Sequence, residues 1–200
     1  MFTGIIEAIG TIKEIAQNLK GVSLQIDSGK LDLTDVKIGD SIAVNGVCLT
    51  VTQQGNNHFE VDVSHETLRC TEGLKNLGNQ VNLEKAMRLS DRLGGHLVSG
   101  HVDGVGNIMQ FEPEGENYRL SIQSPNELLK YIVVKGSITV NGVSLTVNRI
   151  EGSHFHINLI PHTLAETNLK LLEVGDAVNL ETDLLARYVE RLMNPSINQI

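Results

Sequence analysis

SIAVNGVCLTV (residues 41–51) returns as SITVNGVSLTV (residues 137–147), identical at nine of eleven positions with an offset of 96. The same offset carries FTGIIEAIGTI (2–12) onto VSGHVDGVGNI (98–108) and HFEVDVSHETLRCT (58–71) onto HFHINLIPHTLAET (154–167). One inserted residue then moves VNLE from 81–84 to 178–181. Several patches sharing one offset identify a duplicated unit about 96 residues long. Two copies are too few for a stacked solenoid. The chain is therefore expected to divide into units 1–95 and 96–183, joined through RLSDRLGG (88–95), with a terminal segment at 184–200.

Within the repeat, Asn45-Gly46 separates two runs of alternating polarity, the pattern of a two-residue type I′ turn. That turn pairs Val44 with Val47, Ala43 with Cys48, Ile42 with Leu49 and Ser41 with Thr50. Side chains alternate along a strand, so Ile42, Val44, Val47, Leu49 and Val51 share an apolar face. Ser41, Ala43, Cys48 and Thr50 share the other. The second copy sets Ser137, Thr139, Ser144 and Thr146 opposite Ile138, Val140, Val143, Leu145 and Val147. Further runs rich in Val, Ile, Leu and Thr at 8–15, 21–27, 58–63 and 80–84 read as strands. Helical stretches are expected at 65–77, 125–132 and 162–171. About six short antiparallel strands per unit predict a small closed barrel, which leaves no sheet edge exposed. In TDLLARYVERLM (182–193), Leu184, Leu185, Tyr188, Val189, Leu192 and Met193 form one helical stripe. The predicted fold class is all-β: two similar six-stranded antiparallel barrels followed by a C-terminal α-helix.

Composition narrows the function. The chain has 200 residues, no tryptophan, 4% aromatics and a formal charge of −8. A nucleic acid would be repelled and would find few stacking rings, so none is expected as a partner. No apolar run approaches the ~20 residues of a membrane helix, and the N-terminus lacks the basic and apolar regions of a signal peptide. Two cysteines, Cys48 and Cys70, are too few for a disulfide framework. These features predict a cytoplasmic protein acting on something small.

The second hairpin face carries hydroxyls and a thiol but no charge. Solvated strands usually carry Lys or Glu, so two such faces read as the walls of small-molecule sites. The two copies also differ at matched positions: Ile5 against His101, Gly39 against Lys135, Cys48 against Ser144, Ser64 against Ile160 and Glu66 against His162. Asp183 follows VNLET where the first copy has Ala86 after VNLEK. That pattern suits one kind of ligand held in two chemical roles, although neutral drift produces similar scatter. His96 and His101 lie five apart without a Cys or acid pair, a poor zinc arrangement, so no metal is expected. GGHLVSGHVDGVG lacks the Gly-Lys-Ser/Thr of a phosphate loop, and no G-x-S-x-G elbow occurs. A lone cysteine such as Cys48 is more often a small buried apolar group than a nucleophile.

MFTGIIE, NGVCLTV, GGHLVSGHVDG, KGSITVNGVSLTV, the segment Ile160-Pro161-His162-Thr163-Leu164 and the paired VNLE together resemble riboflavin synthase of the alpha-subunit type, from Met1 to about Leu192. The resemblance implies Greek-key connectivity in both barrels and a terminal helix that assembles a homotrimer. It implies dismutation of two 6,7-dimethyl-8-ribityllumazine molecules, one bound by each barrel, with a full active site between neighbouring subunits. No metal or redox cofactor is implied. An association with lumazine synthase is left open, as is a non-catalytic lumazine- or flavin-binding relative.

By the same resemblance, the first site is expected to contain Gly4, Ile5, Ile6, Cys48, Leu49, Thr50, Asp62, Val63, Ser64, His65, Glu66, Thr67, Gly100, His101 and Val102. The second is expected to contain Lys135, Ser144, Leu145, Thr146, Leu159, Ile160, Pro161, His162, Thr163 and Leu164. The C7 methyl of the lumazine is acidic because the ring delocalises the carbanion, so a modest base suffices. His101 is the proton shuttle by type. Ser41, Cys48 or Thr50, or water, is the candidate nucleophile of the first site. Ser144, Thr146, Lys135 and Asp183 are the candidate catalytic groups of the second, Lys135 stabilising negative charge.

Overall fold

The computed structural model describes residues 1–193. The expected terminal unit at 184–200 is thus seen to Met193, and residues 194–200 lie outside the described residues. Six strands, β1 (Ala8–Asn18), β2 (Gly21–Asp27), β3 (Ser41–Val44), β4 (Val47–Gln54), β5 (His58–Ser64) and β6 (Gln80–Lys85), close in the order β1-β2-β5-β4-β3-β6. β7 (Gly104–Glu114), β8 (Asn117–Gln123), β9 (Ser137–Val140), β10 (Val143–Glu151), β11 (His154–Leu159) and β12 (Ala177–Thr182) close in the same cyclic order. The hairpin registers are those the turns dictate, Cys48 opposite Ala43 and Ser144 opposite Thr139. Asn45 and Asn141 take φ of 52° and 48°, a left-handed conformation that Asn tolerates better than most residues. Each barrel closes through bulges at matched positions, between Ile12 and Glu14 and between Val51 and Gln53, then between Ile108 and Gln110 and between Val147 and Arg149. An extra residue on one strand bends the sheet, which is how a short ladder can curl shut.

Each interior is filled from the apolar face, by Leu24, Ile42, Phe59 and Leu83 in the first barrel and Leu120, Ile138, Phe155 and Leu180 in the second. Helices are shorter than the sequence suggests. α1 runs only over His65–Cys70, where 65–77 reads as helical. Beyond it Gly73 turns at a φ of +89°, and the Glu72 N–H and carbonyl bond the Asn179 side chain. The chain is drawn into the seam between barrels before a second helical turn can form. In 162–171, α2 (Pro161–Glu166) is separated by extended Thr167 from a 3₁₀ turn at Asn168–Leu171. The stretch 125–132 is a 3₁₀ turn at Asn126–Tyr131. α3 spans Leu184–Met193.

The barrels meet tip to tip about a pseudo-two-fold axis. A Cβ on Gly46 would lie 2.7 Å from the Gly142 nitrogen, and one on Gly142 2.8 Å from the Gly46 nitrogen. Around this contact the Asn82 amide donates to the Asn141 carbonyl, and the Asn179 amide to the Asn45 carbonyl, both at 2.9 Å. These four buried asparagines satisfy backbone groups that no ladder reaches, and they fix the mutual register of the barrels. The leaders of the two copies also pair, Phe2 and Val98 exchanging backbone hydrogen bonds of 2.8 and 3.1 Å. Among the described residues, no helix is long and apolar enough to cross a membrane.

Candidate functional site

The uncharged hairpin faces are where the leaders cross. The leader of the second copy lies on the first barrel: the Cys48 N–H donates to the Gly100 carbonyl at 2.8 Å, and Val102 packs on the first core. The leader of the first copy lies on the second barrel: the Ser144 N–H donates to the Gly4 carbonyl at 2.8 Å, and Ile6 packs on the second core. Gly4, Ile5 and Ile6, expected with Cys48, are therefore placed with Ser144 instead. Both leaders are expected with Cys48; Gly100 does lie there, and Gly4 lies on the other hairpin.

Both glycines are required at the crossings. Gly100 has a φ of +79°, and an added Cβ would meet the Cys48 Cβ at 2.6 Å. Gly4 has a φ of +75°, with the Ser144 Cβ at 2.6 Å. Beneath each leader lies a buried carboxylate. Glu84 accepts from Thr3 N (2.6 Å), Thr3 Oγ1 (2.7 Å) and Gly4 N (3.0 Å). Glu181 accepts from Ser99 N (2.7 Å), Ser99 Oγ (2.6 Å) and Gly100 N (2.9 Å). Burial pushes both carboxyls above the usual carboxylate range, against the lowering effect of these donors. Their signal in sequence is a Glu held at the same place in both copies, within a strand whose neighbours Leu83 and Leu180 are core.

In the first barrel, Thr50 and Asp62 lie exposed on the outer side of the β4–β5 pair, and Ser41 faces Thr50 across the hairpin. Asp62 accepts from the Ser23 hydroxyl. With Val63 and Ser64 it lines a groove of about 700 Å³, walled by Asn18, Leu19 and Lys20 from the β1–β2 turn. Those three wall residues carried no motif. Ser64 caps α1, accepting from the Thr67 N–H at 3.0 Å, and His65 is exposed. Glu66 is bound by Arg69, whose hydrogen bonds hold its carboxyl below the usual range, and by the Cys70 thiol. Its negative charge is already compensated.

In the second barrel the Ser144 hydroxyl lies 2.8 Å from His96 Nδ1. Burial holds the His96 imidazole below its ordinary value, partly offset by the negative charge of Asp183. Ser144 and His96 thus form a hydroxyl–imidazole pair with the charge of Asp183 nearby; in sequence, His96 is weighed only as a metal ligand. Its proximity to Ser144 exists only in the folded chain. Asp183 also holds the start of α3, accepting from the Leu185 N–H at 3.0 Å. Thr146 is exposed on β10, and the neighbouring Val147 carbonyl accepts from Lys135 N at 2.7 Å. Lys135 takes a φ of +66° where the first copy has Gly39 at +95°. A left-handed lysine costs roughly 1–2 kcal/mol, a strain that commonly marks a functional position. Ile160, Pro161 and His162 are exposed at the start of α2, with Thr163 and Leu164 half-buried behind them.

Leu49, Val63, Leu145 and Leu159 point into the barrels, so they can offer a ligand only their backbone. His101 opens into a cleft of about 760 Å³ between the leader, Lys130 and Tyr131, and α3. Ile5, its counterpart, lines a smaller cleft with Thr3, Glu84 and Arg88. Among the described residues, no three His, Cys, Asp or Glu side chains gather as a metal-binding group.

The state of His96 gives a pH dependence. Its folded pKa lies below the unfolded one, so the unfolded chain takes up a proton first as pH falls. The His96 contribution to stability is complete above about pH 6.5 and is lost below it. Thermal midpoints between pH 8 and 5 should fall less steeply for His96→Asn than for the parent chain. Parallel curves would contradict this protonation state.

Comparison with known proteins yields one family and many relatives. A family model described as Lumazine binding domain matches twice, at residues 3–86 and 99–183. Riboflavin synthase of Photobacterium phosphoreum is 47% identical over 194 residues, 96% of this chain and 89% of that one. Riboflavin synthase of Bacillus subtilis (strain 168) is 45% identical, covering 97% and 90%. Among solved structures, LumP complexed with riboflavin superimposes with a TM-score of 0.83 at 31% identity, covering 91% of this chain and 99% of that one. LumP complexed with 6,7-dimethyl-8-(1'-D-ribityl) lumazine gives 0.81 at 30% identity with the same coverage.

Proposed function

The chain belongs to the riboflavin synthase family of lumazine-binding proteins, and we propose from this premise that its two barrels hold the donor and the acceptor of one dismutation. The chain is an enzyme of the transferase class, a riboflavin synthase. Two 6,7-dimethyl-8-ribityllumazine molecules react; a four-carbon unit passes from one to the other, giving riboflavin and 5-amino-6-ribitylamino-2,4(1H,3H)-pyrimidinedione. All atoms of the two substrates appear in the two products.

The observation that carries the assignment of roles is the inequality of two matched hairpins. Cys48 and Ser144 occupy one position in the repeat, yet only Ser144 meets an imidazole. In the second barrel, His96 takes the Ser144 proton as the hydroxyl oxygen adds to the activated ring carbon, and Asp183 stabilises the imidazolium. Lys135 and Thr146 face the same ligand, Lys135 countering negative charge that develops on the ring. In the first barrel, Cys48, Ser41 and Thr50 bound the ligand, and His101 shuttles the proton from the C7 methyl. Asp62 and Ser64 meet the ribityl hydroxyls, while backbone groups at Leu49, Val63, Leu145 and Leu159 read the ring edge. Two rings brought together where the first barrel of one subunit faces the second barrel of a neighbour convert a bimolecular encounter into a step within one complex. Titration with the lumazine should give two sites per chain; a single site would overturn the division of roles.

A homotrimer belongs to the same proposal. α3 exposes Leu185, Tyr188, Val189, Leu192 and Met193 as one apolar stripe, a surface that association would cover. Cutting the chain before Leu184 should give monomers by sedimentation with both barrels folded. A trimer that survives the cut contradicts this role for the helix. A cytoplasmic location and an association with lumazine synthase are further parts of the proposal.

A further inference from the structure

We propose that Glu84 and Glu181 are crossed positioning residues, the carboxylate of each barrel setting the segment that completes the site of the other. Glu181, 2% exposed on β12, holds Ser99 N, Ser99 Oγ and Gly100 N. The Ser99 Oγ in turn accepts from His101 N at 3.2 Å, so three successive amides are fixed from one side chain. The Gly100 carbonyl then receives the Cys48 N–H of the first barrel. Glu84, 4% exposed on β6, repeats the arrangement on Thr3 and Gly4, with Thr3 Oγ1 accepting from Ile5 N at 3.2 Å. The Gly4 carbonyl then receives the Ser144 N–H of the second barrel.

A carboxylate serving only the stability of its own barrel would bind groups that stay on that barrel. Both of these bind a leader where it crosses to the neighbour, at the glycine whose carbonyl meets the hairpin and at the residue before it. An ionised carboxylate is also the only common side chain that presents two acceptors to these three donors. A glutamine of the same shape would turn an NH₂ towards an N–H and break one end of the clamp. The donor and acceptor sites are therefore assembled together, since each depends on a group in the opposite barrel.

This inference rests on the roles proposed for His101 and Ser144, and double-mutant cycles test it. Glu181→Gln and Glu84→Gln are each combined with His101→Ala and with Ser144→Ala, reading kcat/KM and the equilibrium Kd for the lumazine. Glu181→Gln alone should lower kcat/KM roughly 10- to 100-fold, the effect of losing a charged, buried hydrogen bond. That loss should shrink to about threefold or less on His101→Ala and persist on Ser144→Ala, because groups acting as a unit are non-additive. Glu84→Gln should behave oppositely, coupling to Ser144→Ala alone. Simple loosening of the fold would lower every background equally, and that result, or coupling in the uncrossed sense, overturns the proposal. Ser99→Ala keeps the carboxylate and removes only the link to His101 N; it should show the same coupling, more weakly, if Glu181→Gln does not fold. If the parent chain forms no riboflavin, the proposed function fails, while the Kd cycles still decide the clamps.

Discussion

Ser144→Ala is expected to lower kcat for riboflavin formation by about 10²–10⁴-fold, the usual contribution of an activated nucleophile or proton-transfer pair. The Ser144 hydroxyl is a weak nucleophile unless a base takes its proton as the new bond forms. His96 Nδ1, 2.8 Å away, is the base in the proposed mechanism. Burial lowers the imidazole's pKa and so favours the neutral ring, the form that can act as a base. Asp183 lowers the energy of the imidazolium formed next. His96→Ala should therefore cost nearly as much as Ser144→Ala, and the double variant little more than either alone. Lumazine affinity should change far less than kcat in all three. Stopped-flow single turnover separates binding from chemistry, and independent, multiplying losses would contradict a concerted pair.

Gly100→Ala should damage stability and the first site together. A left-handed alanine costs roughly 1–2 kcal/mol, and overpacking a close contact adds about 1–3 kcal/mol. Here the new Cβ would lie 2.6 Å from the Cys48 Cβ and 2.9 Å from the Phe2 ring, neither of which can swing aside. A total near 3 kcal/mol corresponds to a fall of about 6–12 °C in Tm for a chain of this size. The leader must lift from the hairpin, so the bond from Cys48 N to the Gly100 carbonyl breaks and His101 is displaced. Lumazine binding at the first site should weaken while the Ser144 side is spared. Gly115→Ala serves as a control, because Gly115 has open space around its Cα and a φ of +64°. It shares the conformational penalty without the clash, so equal losses in the two variants would place the whole effect in the backbone.

The barrels were legible because each rests on local signals. Asn-Gly turns set register, alternation set the faces, and a fixed offset showed that the reading applied twice. The short helices were harder. The stretch 65–77 reads as helical, but Gly73 and the bonds between Glu72 and Asn179 belong to the seam, which no local window contains. The site divides in the same way. Cys48 and Ser144 stood out as matched positions with unlike chemistry. The placing of Gly4 on the Ser144 hairpin, the meeting of His96 with Ser144 and the clamps at Glu84 and Glu181 all join residues far apart in the chain. Such contacts follow from how each barrel closes and how the two dock, which no local stretch of sequence contains.

The proposed reaction joins one lumazine to another across two unequal sites. Purified chain mixed with 6,7-dimethyl-8-ribityllumazine alone, and followed by chromatography, tests it most directly. Two lumazines should be consumed for each riboflavin formed, with an equal amount of the pyrimidinedione. Tight binding with neither product, or riboflavin formed without the pyrimidinedione, would contradict it.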